Sequence, residues 1–333
     1  MKTIIFIGNH KSFCGKRLAA HLAPYLAAHG HEVFLAGAKK NLPTYCSCAT
    51  FKLPAVLSVK NIESALKKNM PAQIISLAFL PACEAAHNLK IPFIYAEPEN
   101  LKEDKPVKNK KTLLKAAKRV IVIGNNEGLL NKKTYASNAV RIANPAVWTE
   151  HQNYNKPACF KKQNNLVAMG NLTKEGGFDF LLTAWAELAP AHPSWHLTIA
   201  GDGTAKTALK KFIEKNNLAA STELVCTDCD PLALLRGADI YVSPSAQPDA
   251  LDFLLDAMSS KLPAVAIQHA QTQDWVRSGI NGILVDPKDV EALRVALDDL
   301  MVNWGKRVDM AVSAAQIKAQ FPFENFAALF EIK

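Results

Sequence analysis

No stretch of this sequence approaches the roughly 20 consecutive apolar residues that a membrane-crossing helix requires, so no bilayer span is expected. Glycine-rich nucleotide fingerprints are also missing. Neither half carries Gly-x-Gly-x-x-Gly after its first strand, which disfavours a nicotinamide enzyme, and no loop ends in the Gly-Lys-Ser/Thr of a Walker A motif. The seven cysteines are odd in number and irregularly spaced. Cys226-Thr-Asp-Cys229 has no second pair to complete a zinc site, since Cys46-Ser-Cys48 has the wrong spacing, so reduced thiols and no metal are expected. Low-complexity segments and short repeats are absent. The apolar run at residues 3–7 is too short for a secretory h-region and reads as a first buried strand, which makes cytoplasmic the expected location.

A chain of 333 residues with 49% apolar and 21% charged residues is long enough for two ordinary globular domains. Its net charge of +9 is divided unevenly. Residues 1–144 hold 22 Lys and Arg against 8 Asp and Glu, whereas residues 145–333 hold 17 against 22. The densest basic stretch lies between Lys102 and Arg119, where eight Lys and Arg are offset only by Glu103 and Asp104. Such a surface attracts anionic lipid headgroups or phosphorylated acceptors; the alternative is a solvated face kept for solubility. No aromatic residue lies within it to stack a base, so nucleic acid is not an expected partner.

Short Val- and Ile-rich runs alternate with segments of helical period along the whole chain, the pattern of βαβ units and parallel sheets. Strands are predicted at 3–7, 32–36, 73–77, 93–96, 120–123 and 140–143, then at 166–169, 196–200, 223–226, 240–243, 264–267 and 282–285. Helices are predicted between them, among them 16–29, 62–69, 178–188, 205–216, 249–259, 289–302 and 306–319. Asn144-Pro145 and the polar stretch at 149–165 read as a linker. The domains expected are residues 1–145 and residues 146–320. Both are expected to be Rossmann-like α/β/α layers whose ligands sit beyond the C-terminal strand ends, in a cleft between them.

Three stretches carry candidate chemistry. The loop at 170–177, Gly-Asn-Leu-Thr-Lys-Glu-Gly-Gly, leaves a strand and opens a helix, so its amides and Lys174 suit a phosphate; an ordinary Gly-Gly turn is the alternative. Gly201-Asp202-Gly203 is a turn where backbone can approach a ligand. Asp249 and Asp256 are seven apart and so share a helix face, suited to sugar and ribose hydroxyls, although Asp249 also reads as an N-cap.

The order of these motifs resembles the donor domain of the group 1 (family 4) glycosyltransferases. The resemblance rests on Gly170-x-Leu-x-x-x-x-Gly177-Phe-Asp, Trp195-x-Leu-x-Ile-x-Gly201-Asp-Gly, Ala238-Asp-Ile-Tyr-Val-x-Pro244-Ser, Leu-Leu-Asp256-Ala-Met, Lys261-Leu-Pro and Asn281-Gly-x-Leu-Val. It implies a GT-B fold, with two Rossmann-like α/β/α domains whose parallel sheets face across a cleft, and a closing C-terminal helix at 321–333, which Phe321-Pro-Phe-Glu-Asn resembles. It also implies retaining transfer of a sugar from a nucleoside diphosphate to a hydroxyl, without metal or other cofactor. Acceptors would be glycan or lipid-linked, with the basic half resting on the inner face of a membrane. Carried onto this sequence, Gly15, Asn171, Lys174 and Gly201 would line the donor, amides near Ala250 and Leu251 would meet the diphosphate, Asp256 would hold the ribose, and Asp249 would contact the transferred sugar as the catalytic acid. The sequence departs from the family where an arginine is expected at Asn171, a lysine at Gly176 and a first acid at Pro248. Those departures keep open the alternative of an inactive relative that serves as a binding or assembly module.

Overall fold

The computed structural model describes residues 1–7, 13–37, 42, 48–53, 58–98, 110–123, 139–142, 164–225, 231–247, 250–320 and 323–331. The chain forms two compact units, one of Met1–Pro145 with Pro322–Lys333 and the other of Ala146–Phe321.

The first unit runs β1 (Lys2–Ile7), α1 (Phe13–Ala28), β2 (Glu32–Ala36), β3 (Ala49–Thr50), α2 (Val59–Lys67), β4 (Gln73–Leu77), α3 (Leu80–Asn88), β5 (Phe93–Pro98), α4 (Lys110–Ala116), β6 (Arg119–Ile123) and β7 (Ala139–Ile142). All seven strands are parallel, in the order β3-β2-β1-β4-β5-β6-β7. A parallel sheet has helices on both faces, so its central strands are apolar on both sides. Ile4, Ile5, Phe6 and Ile7 are accordingly all buried. Helix α2 begins where the Ser58 hydroxyl accepts the Asn61 N–H at 3.3 Å, and it buries Ile62 and Leu66 one turn apart.

The second unit runs β8 (Asn165–Asn171), a 3-10 turn (Lys174–Gly176), α5 (Phe178–Ala191), β9 (His196–Asp202), α6 (Lys206–Lys215), β10 (Thr222–Val225), α7 (Pro231–Arg236), β11 (Ile240–Ser243), α8 (Ala250–Ser259), β12 (Ala264–Ile267), α9 (Ala270–Gln273), β13 (Ile283–Val285), α10 (Val290–Val302), α11 (Trp304–Ala314) and α12 (Ile317–Gln320). Its six strands are parallel in the order β10-β9-β8-β11-β12-β13. The order reverses between β8 and β11, so the ends of these strands flank the crevice where doubly wound sheets bind ligands. Trp185 of α5 is fully buried and packs with Leu293, Leu297 and Leu300 of α10 in one core. Asp289 starts α10 by accepting the Ala292 N–H at 2.8 Å.

The chain then returns to the first unit through α13 (Phe323–Ala327) and a 3-10 turn at Ala328–Phe330. Phe326 and Phe330 are buried there, with ring centroids 5.1 Å apart. The Gln73 side chain donates to the Phe330 carbonyl at 3.4 Å, and Arg119 donates to the Leu329 carbonyl. Arg119 therefore anchors the chain end and leaves the basic surface on which the sequence had placed it.

Two expectations needed adjustment. The predicted helix at 306–319 is two helices, α11 and α12, with Ala315 and Gln316 between them. The start of α1 at Phe13 places Gly15 inside a helix rather than in a glycine loop.

Candidate functional site

The end of β8 is held against β9 in register, with Gly170 opposite Gly201 and Asn171 opposite Asp202. Two of the expected donor residues, Asn171 and Gly201, are thus brought to one strand edge. Past them the chain makes the Lys174–Gly176 turn and enters α5 through Gly177, whose φ of 70° is a left-handed conformation favouring glycine. The first amides of α5 have no acceptor within the helix and Asp179 is its only first-turn acid, so this end offers N–H groups where an anion is stabilised.

The glycines here are shaped chiefly by backbone packed against backbone. A Cβ on Gly177 would lie 2.1 Å from the Pro244 carbonyl oxygen, one on Gly176 would lie 2.5 Å from the Asn171 oxygen, and one on Gly201 would lie 2.2 Å from the Gly170 oxygen. Gly201 is therefore required by the contact of β9 with β8, whatever ligand lies above it. The lysine that the family resemblance led us to expect at residue 176 has no room on this backbone. Lys174 is exposed and makes no ion pair or hydrogen bond among the described residues, so its ammonium is available to an incoming anion.

The acid-bearing side of the site starts at Ser243-Pro244-Ser245 after β11. The Ser245 hydroxyl accepts the Gln247 N–H at 3.0 Å, and the Gln247 carbonyl accepts the Ala250 N–H at 3.0 Å. The Ala250 amide thus helps to hold the turn that launches α8. Leu251 follows it and is also buried. Asp249 lies outside the described residues. Asp256 is 0% exposed, and Asp252, one turn earlier, is 7% exposed. Helix α8 is buried on every face, against β8, β11 and β12 on one side and against α7, α11 and α12 around it. Gly15 belongs to the first unit.

The sequence marked Pro244 as part of a motif but not its carbonyl as the surface that Gly177 packs on, and it did not show the cap at the end of β12. There His269 accepts the Thr272 N–H through its side chain, while the Thr272 hydroxyl accepts the His269 N–H at 2.9 Å. The other ring nitrogen, Nε2, is buried with no hydrogen-bond partner among the described residues, and burial lowers the pKa of the imidazole. A small-residue run at a strand end and a His-x-x-Thr spacing were the available signals.

A family model, the glycosyl transferases group 1, matches residues 149–317, more than half of the chain. The chain belongs to this family. An uncharacterized glycosyltransferase of Haemophilus influenzae is 28% identical to it over 176 residues, which cover 53% of this chain and 49% of that protein. The chain thus spans about half the length of that curated relative. Among solved structures, sucrose-phosphate synthase from Thermosynechococcus elongatus is similar at a TM-score of 0.68 and 16% identity, over 98% of this chain and 97% of that one. Alr3699/HepE from Anabaena, solved in complex with UDP and glucose, is similar at 0.66 and 15%, over 96% and 95%. The two parallel-sheet α/β units are those of the GT-B fold, and the matched group 1 region coincides with the unit that carries the loop at 170–177.

Proposed function

We propose that the protein transfers a sugar from a nucleoside diphosphate to a hydroxyl acceptor with retention at the anomeric carbon, in the synthesis of a cell-surface or lipid-linked glycan. The observation that carries this reading is the loop at 170–177: glycine-shaped, bearing an unengaged Lys174, and opening directly into the N-terminus of α5 at the switch point of a group 1 unit. In this reading the diphosphate lies along the loop, where Lys174, the Asn171 edge and the α5 amides meet its charge in place of a metal ion. Bond cleavage puts negative charge on the leaving diphosphate, and a cation fixed at that point stabilises the transition state more than the bound donor. Asp249 contacts the transferred sugar, while Asp256, fully covered within α8, offers the ribose no surface. The exposed Lys111, Lys115 and Lys118 of the basic half draw the protein to the inner face of an anionic membrane carrying the acceptor.

The test is release of nucleotide from UDP-glucose, UDP-N-acetylglucosamine and GDP-mannose, with transfer followed on lipid-linked and soluble hydroxyl acceptors. Turnover above the buffer rate that falls on Lys174→Ala supports the proposal; no turnover with any donor refutes it.

A second reading, a binding or assembly module without turnover, is favoured by two observations. Residue 176 cannot accommodate the second cation of the family, and Asp256 is fully covered. It predicts donor binding without release of nucleotide.

A further inference from the structure

The first unit carries a cavity of about 490 Å³ at the edge of its sheet, between β2–β3 and α2, well removed in sequence from the loop at 170–177. Its volume falls in the range of small-ligand sites, roughly 300–1,000 Å³. Phe34 of β2, Phe51 and Leu53 after β3, and Ala65 of α2 form an apolar floor, with the rings of Phe34 and Phe51 edge to face at 6.5 Å. The floor is open because β3 is only two residues long and exposed, so no helix of the described residues covers this end of the sheet.

The rim has one sign of charge. Lys52 and Lys68 line the cavity and are exposed, and neither forms an ion pair or hydrogen bond among the described residues. A third ammonium, that of Lys2, donates to the Asn69 side chain at 2.7 Å and sits 5.0 Å from the centre of the Phe34 ring, so it is fixed in the wall between two lining residues. Among the described residues, none that lines the cavity is acidic. The one carboxylate of α2, Glu63, is engaged by Asn88 of α3 at 2.6 Å. Three ammonium groups around an apolar floor, in a half of the chain with a net charge of +14 (22 basic minus 8 acidic residues), leave the site without a counter-charge of its own.

We propose that this cavity binds an amphiphile with an apolar chain ending in a phosphate, the chain lying on Phe34, Phe51, Leu53 and Ala65 and the phosphate between Lys52 and Lys68. Burying each methylene contributes about 0.8 kcal/mol, so chain length and head charge act as separable determinants. The site is independent of the transfer reaction, and its ligand is either a free amphiphile or a lipid drawn from a bilayer.

The experiment is calorimetric titration of the full-length protein with dodecyl phosphate, octyl phosphate, inorganic phosphate and dodecyl maltoside. Vesicles of phosphatidylcholine with and without a fifth of phosphatidic acid form a parallel arm that distinguishes a bilayer source from a free one. Dodecyl phosphate should bind at least ten-fold more tightly than either inorganic phosphate or dodecyl maltoside. Lys52→Glu with Lys68→Glu should weaken it about ten-fold or more. Ala65→Phe, which fills the cavity from a helix position outside the core, should weaken it comparably without removing charge. Circular dichroism identifies any variant that fails to fold, and octyl phosphate against dodecyl phosphate on the wild-type chain then still reads the apolar floor. Equal binding by the wild type and both folded variants, no dependence on chain length, or equal binding of dodecyl maltoside would overturn the proposal.

Discussion

Replacing Gly177 by alanine should destabilise the second unit far more than the same change at Gly279, although both glycines have a left-handed φ, 70° and 81°. At Gly279 an added Cβ meets nothing within 4 Å, so the cost is that of the backbone conformation alone, about 1 kcal/mol. At Gly177 the Cβ would stand 2.1 Å from the Pro244 carbonyl oxygen, more than 1 Å inside contact. Pro244 directly follows the buried strand β11, so the carbonyl cannot retreat without moving the sheet. Strain of this kind adds a further ~2–4 kcal/mol. Gly305 is the control: it has ordinary helical geometry, open space around it, and an expected gain of about 0.5 kcal/mol on mutation to alanine. All five tryptophans, at positions 148, 185, 195, 275 and 304, lie in the second unit, so their fluorescence in urea follows that unit alone. At roughly 2–4 °C per kcal/mol for a unit of this size, thermal melting midpoints followed by the same fluorescence should fall by about 6–20 °C for Gly177→Ala and about 3 °C for Gly279→Ala. Equal losses at the two sites would refute the claim that the loop is clamped to the β11 end by backbone contact.

Lys174→Ala should leave unfolding unchanged, because the side chain is exposed without a partner, while weakening UDP or GDP about ten-fold by calorimetry; Lys174→Arg should restore most of it. The imidazole of His269 has a pKa lowered by burial, so it stays neutral in the folded chain where the unfolded chain protonates it. The stability this contributes is complete above about pH 6.5 and declines as pH falls toward the lowered value, and His269→Asn, which can still cap α9, should flatten urea midpoints between pH 7 and pH 5. Converting Lys111, Lys115 and Lys118 to glutamate should reduce co-sedimentation with anionic vesicles several-fold at 50 mM salt and little at 500 mM, whereas loss independent of salt would contradict an electrostatic contact.

Both sheets were legible in the sequence for a physical reason. Strands covered on two faces need unbroken apolar runs, and stretches such as Ile4–Ile7 or Val265–Ile267 have no other use in a soluble domain. Strand β3 was invisible because two exposed residues, Ala49 and Thr50, join the sheet through their backbone alone. The break between α11 and α12 carries neither proline nor glycine. At the site, spacing located the loop that leaves β8 and opens α5, but not the backbone packing that requires its glycines. Neither the Gly170 carbonyl beneath Gly201 nor the Gln247 carbonyl that accepts the Ala250 N–H shows in the spacing. The heptad relation of Asp249 and Asp256 marked a helix face. Spacing alone did not reveal that α8 has no exposed face, since that follows from α11 and α12, which begin 45 residues past its end (Ser259 to Trp304), closing over it.

In the proposed function the loop at 170–177 receives the diphosphate of a nucleotide donor. Calorimetric titration of the wild type and Lys174→Ala with UDP and GDP, each beside its nucleoside uridine or guanosine, tests it most directly. The account predicts saturable binding of at least one diphosphate, tighter than its nucleoside by ten-fold or more, with that preference lost in Lys174→Ala. Equal affinity for nucleoside and diphosphate, or no binding of either nucleotide, would contradict it.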